Sequence, residues 1–157
     1  MPARRPTPSD REEAVRMALD GIGTGRDIHE VLMELGPLHP KNNTFPGEVF
    51  LELAADALEL SGVSRGHPIE YEGIRERYLP ECEFRGKAEH HKSHYALGAV
   101  AMIRAGVDPD LLGEVSCWNT DDFWMYAFYA LVVYLRIAVE RTGEPIAALC
   151  DRISSGR

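Results

Sequence analysis

The sequence predicts an all-α fold, a single-domain bundle of six to eight helices, from three observations. Apolar residues recur at helical spacing in window after window, and capping and stopping residues bracket those windows. No stretch of useful length alternates apolar and polar residues as a strand would. A chain of 157 residues, 45% hydrophobic and 27% charged, is long enough to bury a core without disulfide or metal staples.

Residues 1–8 read as a mobile N-terminal tail rich in proline and arginine, residues 9–153 as the helical domain, and residues 154–157 as a C-terminal tail. Ser9 or Asp10 caps a first helix that runs to Asp20, where Gly21, Gly23 and Gly25 break it. Thr24 to Leu35 forms a second, with Ile28, Val31, Leu32 and Leu35 on one face and Gly36 as its stop. Pro37 to Thr44 is a loop. Pro46 opens a third helix that ends at Ser61 and Gly62, its apolar positions Val49, Phe50, Leu53, Ala54, Ala57, Leu58 and Leu60 facing inward. Glu48, Glu52, Asp56 and Glu59 line its other side as a solvated face or a docking surface for a basic partner.

A short helix is expected from Ile69 to Tyr78, a long one from Gly86 to Ala105 stopped by Gly106, and a shorter one from Asp108 to Val115. Asn119 or Thr120 caps the longest, which runs to Arg141, and Pro145 opens a last helix to Ile153. The Gly86–Ala105 and Thr120–Arg141 helices are expected to pack as central antiparallel partners.

The charge balance, 25 acids against 17 bases for a net charge of −8, repels a phosphate backbone and argues against a nucleic-acid partner. The longest uncharged run, Phe123 to Leu135, is about 13 residues, short of the roughly 20 that cross a bilayer, so no membrane partner is expected. Cys82, Cys117 and Cys150 are widely spaced with no Cys-x-x-Cys pair, and the first ten residues carry no apolar stretch. Reduced thiols and a cytoplasmic location follow.

Titratable groups cluster in one place. His90, His91 and His94 fall within one turn, and the i, i+4 spacing stacks His90 over His94 so that two imidazoles could share a metal. Their side of the helix also carries Leu97, Ala101 and Ala105, which predicts that it faces the interior, where a hydrogen-bonded structural histidine is the competing role. No cofactor is required by the sequence. A divalent metal such as zinc would need a further ligand, from His91 or the carboxylates Asp121 and Asp122, with Glu81, Glu83, Cys82 and Cys117 as other sources. Asp121 and Asp122 also suit a first helical turn, where carboxylates complement the dipole. Trp118, Trp124, Tyr126 and Tyr129 make the late part of the chain aromatic, as a bundle core or as the walls of a ligand pocket.

These observations rank three functions. The first is a non-enzymatic helical module that self-associates, as a homo-oligomer, or binds a protein partner the sequence does not name, because its apolar faces exceed what one small domain covers. The second is a metal-binding protein or metal-dependent hydrolase using His90 and His94. The third is a carrier of a small apolar ligand.

Overall fold

A computed structural model of the chain describes residues 7–36, 47–63, 73–82, 86–108 and 120–156. The expected loop 37–44, the helix 108–115 beyond its first residue, Cys117 and Trp118 lie outside the described residues, as do residues 1–6. Seven helices and no strand stand among the described residues, so the all-α class holds. They are α1 (Pro8–Gly23), α2 (Ile28–Leu35), α3 (Gly47–Leu60), α4 (Ile74–Tyr78), α5 (Gly86–Arg104), α6 (Thr120–Thr142) and α7 (Ile146–Ser155).

Local chemistry sets the ends. Thr7 caps α1: its hydroxyl accepts from the Asp10 amide at 3.2 Å while the Asp10 carboxylate accepts from the Thr7 amide at 2.8 Å. This reciprocal box places the cap two residues ahead of Ser9 and three ahead of Asp10, and such a cap is worth about 1 kcal/mol. Asp27 accepts from the His29 amide at 2.7 Å and so starts α2 at Ile28, later than Thr24. Gly62, Gly106 and Gly143 follow their helices at positive φ, as expected of stops. The last helix continues past Ile153 to Ser155, into the stretch read as a tail.

The helix at the centre beside α6 is α3, where the sequence favoured α5. In fourteen residues α3 buries Val49, Phe50, Leu51, Leu53, Ala54, Ala55, Ala57 and Leu58, apolar over more of its circumference than one stripe requires. Its most extensive partner is α6, and it also touches α1, α5 and α7. Phe50 meets Phe128 edge to face, with ring centroids 5.7 Å apart. Fully buried Tyr134 donates from its hydroxyl to the Leu97 carbonyl at 2.7 Å, fixing α5 against α6. In sequence the first half of α5 carries Lys87, Glu89, Lys92 and three histidines, where α3 carries apolar residues broken only by single acids.

Arginines knit the outer side of the bundle. Arg11 of α1 reaches Glu52 of α3 at 2.8 Å. Arg104 of α5, its side chain only 8% exposed, donates to Glu59 at 2.7 Å and to the Val63 carbonyl at 2.9 Å. Two members of the acidic stripe thus serve intramolecular pairs. Arg136 and Glu140 of α6, spaced to pair with each other, reach different partners: Arg136 forks onto Glu81, and Glu140 takes Arg77. No helix among the described residues is long and apolar enough to cross a membrane.

Candidate functional site

On α5 the inward side is set by Ser93, Ala96, Leu97 and Val100, all buried, while His94 is exposed, Ala101 half-buried and Ala105 exposed. The side expected to face the core therefore lies at its margin and beyond. The side chains of His90, His91, Asp121 and Asp122 lie outside the described residues, though all four positions are helical. Among the described residues no group of three or more His, Cys, Asp or Glu side chains is placed to hold a metal ion. Glu81, one of the alternative ligands, is engaged by the Arg136 guanidinium at 2.6 and 2.8 Å, which holds its carboxyl below the usual range.

Cys82 meets a histidine that spacing did not single out. Its Sγ lies 3.9 Å from Nε2 of His29 on α2, and that nitrogen also sits 3.1 Å from the Glu81 carbonyl. No sequence signal joins positions so far apart; only the fold brings α2 to the turn after α4. Burial, seconded by the Glu81 charge, pushes the Cys82 thiol up to about 11 despite a hydrogen bond from Tyr129. A thiol so placed stays protonated at neutral pH and is a poor nucleophile. The cluster is a clamp: with the Glu81 fork and the bond from Arg136 to the Tyr78 carbonyl at 2.8 Å, it ties α2, α4 and α6 together.

The aromatic residues of α6 turn largely inward. Trp124 and Tyr126 are buried and Tyr129 half-buried, with Tyr126 and Tyr129 edge to face at 6.1 Å and the Lys92 ammonium of α5 lying 6.0 Å from the centre of the Tyr126 ring.

Space for a ligand occurs elsewhere, between α1 and α7. The two helices touch at Gly23, where a Cβ would lie 3.5 Å from the Cys150 Cβ and 3.6 Å from the Ala147 Cα. A cavity of about 130 Å³ remains there, lined in part by Leu19, Ala147 and Cys150. Toward the start of α1 and the end of α7 lies a larger cavity of about 430 Å³. Pro8, Val15 and Val49 give it apolar walls; Arg11, Arg16, Glu12 and Ser154 give it polar ones. Ser154 lines both cavities, so the two form adjoining sections of one wedge. The α1 positions lining it, 8, 11, 12, 15, 16, 19, 20 and 23, are a single helical stripe that the C-cap Thr24 extends. Sequence reading assigned no role to this stripe because its residues are chemically mixed.

Comparison with protein-family models, with curated proteins and with solved structures finds no match to this chain.

Proposed function

We propose that this chain is a helical binding module whose ligand enters the wedge between α1 and α7. The supporting observation is the 430 Å³ cavity with apolar walls and a few charged groups, within the roughly 300–1,000 Å³ usual for ligand sites. This reading combines the partner-binding and ligand-carrier expectations and moves the site from the aromatic helix to the α1–α7 wedge. The ion pair of the lining residue Arg11 to α3, with those that join α3 to α5 and α6 to the turn after α4, gives the wedge a fixed frame. Such a frame limits the ordering cost of binding.

A fluorescence titration with the neutral probe N-phenyl-1-naphthylamine tests the reading. Saturable binding is expected in the parent chain and at least a tenfold loss in Val15→Trp, whose indole would fill the cavity. Helicity by circular dichroism should match the parent. Non-saturable binding, or equal affinity in a folded Val15→Trp, would overturn the proposal.

A further inference from the structure

Both arginines at the large cavity are already paired with carboxylates. Arg11 donates from Nη2 to Glu52 of α3 at 2.8 Å. Arg16 donates from Nη2 to Glu13 at 2.6 Å and has the Asp20 carboxylate 3.9 Å from its Nη1. One charged group of the lining is left over: among the described residues the exposed Glu12 carboxylate forms no ion pair or hydrogen bond. At and around the opening, Glu12, Glu13, Glu52 and Asp20 stand against Arg11 and Arg16, four acids to two bases, so the local balance is −2 and has the sign of the whole chain, −8. Helix capping does not account for Glu12. It is the fifth residue of α1, past the first turn in which the dipole acts, and Asp10 already serves that end. Its neighbours on the same face, Pro8 and Val15, are apolar walls of the cavity, and Ser154 of α7 adds a hydroxyl to the lining.

From this arrangement, which rests on the binding reading above, we infer that the wedge takes an amphipathic amine with a single cationic head. The ammonium is received by the Glu12 carboxylate at the rim, and the apolar tail lies against Pro8, Val15 and Val49. An ammonium carries three donors and no acceptor, so a carboxylate and a hydroxyl are the lining groups that suit it. An anionic head would add to an excess of acid and would meet guanidinium groups that carboxylates already neutralise. Val49 is only 1% exposed, so a second charge at the inner end of the ligand would be buried without a partner, which selects a monoamine over a diamine. Glu12 is exposed and acts as a surface charge does, which sets the preference over a neutral head at about fivefold.

Isothermal titration of the full chain at neutral pH with octylammonium, 1-octanol and sodium octanoate tests the inference, with the neutral naphthylamine probe run in parallel. Octylammonium is expected to bind about fivefold more tightly than octanol, with octanoate weakest, and the margin should shrink as salt rises. Glu12→Gln should bring octylammonium down to the level of octanol, and Glu12→Lys should place it below octanol. Saturable binding of the uncharged probe in each variant reports an intact cavity. Octylammonium no tighter than octanol in the parent chain, or a preference retained in Glu12→Gln, would overturn the amine assignment and leave the wedge reading standing. Absence of saturable probe binding in the parent chain would remove the wedge itself and the amine with it.

Discussion

α3 and α6 meet through Phe50, Phe128 and other side chains that are fully withdrawn from water, whereas α1 and α7 meet at Gly23, Ala147 and Cys150 with a cavity beside the contact. The first pair is held by large groups that interlock over the helix surfaces. The second brings small groups into contact near one end, with a cavity beside them. Large interlocking residues leave little room between helices; small residues leave space beside them. The same bundle therefore has a filled interior and an open flank, and the two differ in what a substitution should do.

The largest contrast is expected from Phe128→Ala. Truncating a fully buried phenylalanine removes its packing and leaves a cavity, a loss of about 3–5 kcal/mol. Urea unfolding measures it. In conditions where the variant remains folded, probe binding in the wedge should be unchanged, because Phe128 lines neither wedge cavity. A loss below about 1 kcal/mol would show that α3 and α6 do not hold the interior together.

This contrast explains what could be read from the chain beforehand. The helices themselves were legible, since Ile28, Val31, Leu32 and Leu35 or Val49, Phe50, Leu53 and Leu58 carry a period that only a helix satisfies, and all eight are buried. The orientation of α5 was not, because Ala101 and Ala105 are nearly indifferent to burial and cannot fix a face, while Ser93, polar in sequence, is buried. Pairing was not legible either. Glu52 with Arg11, Glu59 with Arg104 and Glu81 with Arg136 are joined by the tertiary fold across 41 to 55 positions, and local spacing suggested other roles for each. The wedge left no sequence signature: its lining mixes proline, arginine, glutamate, valine and serine.

The narrow end of the wedge should respond to alkali. Cys150 is buried there, and burial, with the charges of Asp151 and Asp20 adding to it, raises its thiol from 9.0 to about 11. Its folded-state value lies above its unfolded one, so the neutral thiol contributes stability that is complete below pH 9 and is lost as pH rises through about 11. By pH 10 this single group should cost about 1 kcal/mol relative to neutral pH. Urea unfolding at pH 7 and pH 10 should show that extra loss in the parent chain and not in Cys150→Ala. An identical pH dependence in both would mean that water reaches the crossing and that the helices do not close on each other there.

The smallest effect is the most discriminating, because it separates two glycines two residues apart on α1. A Cβ on Gly21 would come within 2.8 and 2.9 Å of the two methyl carbons of buried Val31, a true collision with α2. A Cβ on Gly23 would meet Cys150 and Ala147 at 3.5 to 3.6 Å, ordinary van der Waals distances, and would enter the 130 Å³ space beside them. Alanine also loses less backbone freedom on folding than glycine and favours the helix. Gly23→Ala should therefore raise stability by about 0.5 kcal/mol, read as an increase in the urea midpoint with no change in slope. Probe affinity at the wide end should stay the same. A destabilised Gly23→Ala would mean that α1 and α7 already touch at this point as tightly as α1 and α2 do at Gly21. The small cavity would then have no room for even a methyl group at the point where α1 and α7 touch.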